Sequence, residues 1–268
     1  MDSAYAKHGR AQKHLAELQA SVESYRSADL SKEISYVVTY PFGDTDERAV
    51  LTLRVSLRAP SEWSLIMGDI LTNLRAAHDH AVYGHAMSRA AQNSVTLTSS
   101  QRDSLYHPMA KSSAEWQPKR AALQALVDPA VLAVIENNQP FNGNGDVNWH
   151  GLTILGVLVN RDKHKAVHEI PINVASLALG DNNLDIISEG AMTVLADHSV
   201  EKEITIRRRQ RRADGVTRHS IGSMALSAEF LEQIDIPNTG QRRSFIDVME
   251  KLTTQTGGYL DELKAAGC

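Results

Sequence analysis

The chain has 268 residues, 42% hydrophobic and 22% charged, with 28 basic against 32 acidic side chains and a formal charge of −4. This balance excludes a disordered or collagen-like chain and a protein whose whole surface binds nucleic acid, while leaving room for a local basic patch. The single cysteine, Cys268, excludes a disulfide framework and a cysteine-rich zinc site.

The first residues, MDSAYAKHGR, lack the apolar run of a signal peptide, and a cytoplasmic location is expected. From Ala4 to Ala28, Leu15, Leu18 and Val22 recur at three- and four-residue spacing among polar residues, which predicts an amphipathic helix with one narrow buried face. Ile34 to Tyr40 and Val50 to Leu57 are rich in Val, Thr, Tyr and Leu and flank Gly43-Asp44-Thr45-Asp46, which predicts a β-hairpin. Pro60-Ser61-Glu62 opens a long helix to about Ala91, with Ser61 as its N-cap and Ile70, Leu71, Leu74, Ala81 and Val82 as its apolar stripe. A Ser/Thr-rich loop, Ser94 to Ser104, follows. Pro118 is expected to begin a helix to about Val127, and Pro129 another to Asn138.

Asn142-Gly143-Asn144-Gly145-Asp146 is a loop by composition. It leads into Trp149 to Lys165, a helix apolar around its whole circumference and therefore expected to be buried. Its longest apolar stretch, Leu152 to Val159, is under half of what a bilayer span needs, so no membrane is expected as a partner. From about Val167 to Ser227 the signals are strands and turns: Ile170 to Ile172, Leu184 to Ile187, Met192 to Leu195, Ile204 to Ile206 and a turn at Asp214-Gly215. A final amphipathic helix is expected over Gln241 to Ala265, with a kink at Gly257-Gly258.

The expected fold class is α+β, a single domain over 1–268. Residues 1–32, 60–166 and 239–268 form its helical bundle, 33–59 a β-hairpin and 167–238 a β-rich insertion.

Helical spacing sorts the polar residues of the long second helix. Asp69, Asn73 and His80 share one side, whereas Arg75 and Asp79 flank the apolar stripe as an i, i+4 pair. His78 lies on the stripe and is expected to be a core histidine. The sequence Arg75-Ala-Ala-His78-Asp79-His80 places four residues between an arginine and a histidine and resembles the R-x4-6-H motif of the HEPN superfamily of helical ribonucleases and nucleotide-binding proteins. The resemblance implies a HEPN-like bundle and metal-independent RNA cleavage, with His80 as general acid/base and Arg75 stabilising charge on the scissile phosphate. Residues five apart lie about 140° round a helix, so a homodimer belongs to this reading.

A wider likeness runs through Gly68-Asp69, Asn73-Leu74-Arg75, Asp79-His80, Gln139-Pro140, Asn160 and Asp162-Lys163-His164. It resembles a bacterial and phage family with the pattern GD…NLR…DH…QP…N…DKH, which carries no established activity. The chain departs from the pattern at His78, where a Leu is usual, and at Lys165, where an Arg is usual. In the catalytic reading Asn73 and Asp79 orient Arg75 and His80, while Asn160, Lys163 and His164 complete the pocket.

Arg207, Arg208, Arg209, Arg211, Arg212 and Arg218 surround one expected hairpin and form a basic footprint suited to RNA phosphates. Their alternative is a solvated hairpin tip balanced by Glu201, Glu203 and Asp214. No phosphate-binding glycine motif, zinc-protease motif or hydrolase elbow occurs, so no cofactor is expected. His78 and His80 point about 200° apart and cannot ligate one ion together. No metal site is assigned, and Asp69, His80 and His164 stay open as a ligand set across two helices. Two functions therefore compete: a HEPN-like endoribonuclease or RNA-binding protein in phage defence or a toxin role, and a non-catalytic binding or assembly protein whose Arg, Asp and His residues form a buried structural network.

Overall fold

The structure, a computed structural model, describes every residue except 29–32, 44–45, 165–168, 180–184, 208–210, 214–215 and 219–225; at 164, 178–179, 211–213, 216–218 and 226–227 it describes the backbone alone. The fold is α+β, and the chain divides into two compact units. Met1–Ser24, Pro60–Ile170 and Gln233–Cys268 form a helical unit, and Tyr25–Ala59 with Pro171–Glu232 form a β unit.

The helical unit is organised by α2 (Ser61–Gln92), whose stripe Trp63, Met67, Ile70, Leu71, Leu74, Ala81 and Val82 is fully buried. Each of the larger side chains contributes about 2 kcal/mol by leaving water. Pro60 occupies the N-cap position and Ser61 is the first helical residue; no side chain caps this end, and Glu62 in the first turn complements the dipole. α1 (Asp2–Arg26) buries Leu15, Leu18 and Val22, the face its spacing predicts.

After α2, the segment expected to be loop holds α3 (Ser99–Asp103), one turn closed by a Thr98/Gln101 capping box. α4 (Ser113–Leu123) starts five residues before Pro118, because Ser112 Oγ accepts from Glu115 N and nucleates the turn there. α5 (Pro129–Asn137) begins with proline at its first position, as expected.

α6 (Gly151–His164) buries Leu152, Ile154, Leu155, Leu158 and Val159 and packs against α2. Gly68 permits this crossing, since a Cβ there would lie 2.9 Å from an Asp162 carboxylate oxygen. α7 (Phe245–Ala265) also packs on α2, stacks Phe245 on Trp63 at 6.4 Å and runs unbroken through Gly257-Gly258. Gly257 takes the His8 ring of α1 instead of kinking the helix: a Cβ would lie 2.9 Å from that ring, and His8 Nε2 lies 2.9 Å from Thr253 O.

In the β unit, β1 (Ile34–Thr39) and β2 (Arg48–Val55) form the expected hairpin. They join β4 (Asp185–Val194) and β5 (Val200–Arg207) in one antiparallel sheet of order β1-β2-β5-β4. Alternation on β2 sends Ala49, Leu51, Leu53 and Val55 inward to meet Ile204, Ile206 and Leu177. Leu177 belongs to β3 (Ile172–Leu179). β6 (Arg211–Ala213) and β7 (Val216–Arg218) pair antiparallel; the turn expected at Asp214-Gly215 lies outside the described residues.

β8 (Leu226–Ile236) pairs with β3 through its first seven residues and with β9 (Gln241–Ser244) through its last four. The terminal helix therefore starts at Phe245 and not at Gln241. Asn238 (φ 62°) and Gly240 (φ 68°) turn the chain into β9, and Ser244 Oγ then accepts from Asp247 N to cap α7.

Candidate functional site

Two polar assemblies meet in the helical unit. The first sits on α2. Arg75 Nη2 lies 3.1 Å from Asp79 Oδ1, the i, i+4 pair set by helical spacing. Arg75 Nη2 also donates to His107 O at 2.8 Å, and His107 N donates to Asp79 Oδ1 at 2.9 Å. Arginine and aspartate together hold both backbone groups of one residue, so the 104–110 segment is fastened to α2. Gln139, fully buried, continues the fastening: it accepts from Ala110 N at 2.8 Å and donates to Pro108 O and Ile135 O.

His80 takes no part in this network. Its Nδ1 lies 2.7 Å from Ser3 Oγ on α1, an exposed contact. Asn73 is buried and donates to Asp69 O one turn back, with no hydrogen bond to Arg75 or His80 among the described residues. Asn160 and Lys163 are exposed on α6, and His164 is the last residue of that helix.

The arginine cluster belongs to the β unit. Arg207 pairs with Asp185 at 3.6 Å. Arg211 and Arg218 face each other in the β6–β7 register with Arg212 beside them, while Arg208 and Arg209 lie outside the described residues. Among the described residues, no group of three or more His, Cys, Asp and Glu side chains could hold a metal ion.

The second assembly is a cleft of about 460 Å³ beside α2, α6 and α7, bounded on one side by the 138–151 segment. His78, Thr256 and Tyr259, all buried, line it, together with Leu152, Leu155 and Leu252. His78 Nε2 lies 3.2 Å from Thr256 Oγ1, and its ring stacks on Tyr259 at 4.8 Å. His107, adjoining this cluster, places Nε2 2.8 Å from the Tyr259 hydroxyl. Burial drives the His78 pKa down to about 3, aided by the positive charge of Arg75, and holds His107 well below its ordinary value for the same reasons. Burial also raises Tyr259 well above 10, so all three rings are neutral at pH 7.

The mouth carries Asp146, Trp149, His150, Gln255 and Glu262. Gly151 lets the loop approach α7 there, since a Cβ at that position would run into Gln255 Oε1. Of the buried residues here, the sequence singled out His78, as a core histidine. Thr256 and Tyr259 stand three apart on α7, one helical face, and that spacing is the signal that could have paired them. No local pattern brings His107 or His150 to the site.

Comparison of the chain with family models, with curated proteins and with solved structures finds no match. No helix among the described residues is long and apolar enough to cross a membrane. What is established is therefore the α+β fold and the geometry of the two assemblies.

Proposed function

We propose that this chain is a non-catalytic binding protein whose ligand enters the cleft beside α6 and α7, with the Arg75–Asp79–His107 network as part of its architecture. One observation carries the reading: the Arg75 guanidinium is already held by a carboxylate and a backbone carbonyl. With Nε and Nη2 engaged, a phosphate is left the Nη1 donors alone and meets the Asp79 carboxylate beside them. His80, which would supply the proton transfer, is turned to Ser3. The cleft, by contrast, has the volume of a small-molecule site and combines apolar walls with a few polar groups.

A HEPN-like, metal-independent endoribonuclease acting as a homodimer is the second reading, and a specific observation favours it. Arg75 and His80 stand on one uninterrupted helix with both side chains partly exposed, so a second protomer can approach them. In that reading the helical unit is a HEPN-like bundle, Asn73, Asp79, Asn160, Lys163 and His164 complete the centre, and the arginines of the β unit bind RNA in a phage-defence or toxin role. A cytoplasmic location goes with either reading.

The experiment is cleavage of labelled single-stranded and structured RNA by the purified chain in chelator, beside Arg75→Ala and His80→Ala. The binding reading expects no cleavage by well-folded wild type. Cleavage by wild type that both variants lose would establish the second reading instead.

A further inference from the structure

The four-stranded sheet of the β unit ends in β1 on one side and β4 on the other, and the two edges are built differently. β4 carries the devices that keep an edge from pairing. Its register shifts between Ile186 and Ser188 and again between Glu189 and Met192, and it holds Gly190 and the carboxylates of Asp185 and Glu189. β1, Ile-Ser-Tyr-Val-Val-Thr, has none of these. Its register on β2 runs from Ile34–Val55 to Thr39–Val50 without a shift, and it contains no charge, proline or glycine.

The backbone of β1 is used on one side only. Ser56 N donates to Glu33 O, which makes these two residues a hydrogen-bonded pair; by alternation the N–H and C=O of Ser35, Val37 and Thr39 point at β2. Those of Ile34, Tyr36 and Val38 point off the sheet, where no described strand lies. The side chains along this edge are apolar and uncovered: Tyr36 is 51% and Val37 61% exposed, and Tyr40 and Phe42 continue the apolar strip past the strand's end. Tyr36 stands on the inward face, opposite fully buried Leu53, and lacks cover because the sheet stops there.

We propose that β1 pairs with β1 of a second copy of this chain, antiparallel about a two-fold axis that passes through Val37 normal to the sheet. The strand's match to itself selects this occupant. Such an axis keeps inward face beside inward face and sets Val37 opposite Val37, Tyr36 opposite Val38 and Ser35 opposite Thr39 of the second copy. Tyr36 and Val38 are residues whose backbone groups point outward, so each exchanges both bonds with its counterpart. The side chains then meet as aromatic on β-branched inward, and as valine on valine and hydroxyl on hydroxyl outward, combinations that stabilise adjacent strands. No like charges face each other, because the strand has none. A strand of six residues makes a small interface, so the dimer belongs among weak associations, with a Kd of about 1–100 μM.

The test is sedimentation of the full chain between about 1 and 500 μM, for wild type, Val37→Lys and Val37→Glu. Val37 is exposed and its backbone bonds go to β2, so both variants keep the monomer's core and ladder; an unchanged melting temperature checks this. Wild type should dimerise. Each variant alone should dimerise at least about tenfold more weakly, since two like charges then oppose each other at a Cα separation of roughly 4.5 Å. An equimolar mixture of the two variants should recover the dimer, because lysine then meets glutamate.

Wild type that stays monomeric at about 500 μM would overturn the proposal and leave the edge to an extended peptide of another protein. A wild-type dimer that both variants leave intact would overturn it as well, placing the contact on another surface such as α2. Loss of the dimer in both variants without recovery in the mixture would overturn the pairing of Val37 with itself.

Discussion

The two faces of His107 differ in how completely they are satisfied. On its backbone side, Arg75, Asp79 and Gln139 match four backbone groups of the 107–110 segment with donors and acceptors between 2.8 and 3.1 Å. On its ring side, His107 Nδ1 and His78 Nδ1 are buried with no partner, although Tyr259 and Thr256 serve the other nitrogens. A network with every group matched holds chain segments in place. A cluster left short on two buried nitrogens carries a cost that the backbone network does not.

Acid is the strongest way to break the comparison. Histidines whose folded pKa is depressed stay neutral while the unfolded chain binds protons, so stability is full above the ordinary histidine value near 6.5 and falls as pH drops toward about 3 for His78. Each such histidine steepens the loss by about 1.4 kcal/mol per pH unit in that window. Denaturant midpoints measured between pH 7 and pH 4.5 should show this, and His78→Phe should flatten the slope by one histidine's share. An unchanged slope would mean that His78 is not held neutral.

Gln139→Ala comes next. It strands Ala110 N, Pro108 O and Ile135 O in the core and should lower stability by about 3 kcal/mol in denaturant titration. Arg75→Ala should cost about 2 kcal/mol, since it frees Asp79 and the His107 carbonyl in a partly exposed setting, whereas His80→Ala should stay within about 0.5 kcal/mol. Equal losses for these two would erase the distinction between fastened and unfastened residues on α2. Tyr259→Phe removes the hydroxyl that meets His107 Nε2 and should cost about 1 kcal/mol by the same measure. Lys163→Ala, on the exposed end of α6, should change nothing beyond about 0.5 kcal/mol.

Much of the architecture was legible in local pattern. The stripes of α1 and α2, the all-apolar α6 and the alternation of β2 announce buried faces because each repeats with the period of its element. Boundaries followed stronger local chemistry than the prolines and apolar runs first suggested: Ser112 with Glu115 placed the start of α4, and Asn238 with Gly240 converted the expected first turn of α7 into β9.

β8 was hidden beyond Ser227 by its charges. Glu232 interrupts the apolar alternation, yet it is 1% exposed and paired with Arg26, a compensation visible only once the chain is folded. The same holds for the cleft. Thr256 lies 178 residues from His78 and Tyr259 lies 152 from His107, so no window of sequence contains the contact. Arg75 with Asp79 was readable because both stand on one helix; the carbonyl that completes their network was not.

The most direct test of the account is the melting temperature of Arg75→Ala beside wild type at neutral pH. If Arg75 is architecture, the variant melts lower by about 4–8 °C, as a loss of about 2 kcal/mol implies for a chain of this size. An unchanged melting temperature would contradict the claim and return Arg75 to the phosphate-gripping role that the R-x4-6-H likeness implies.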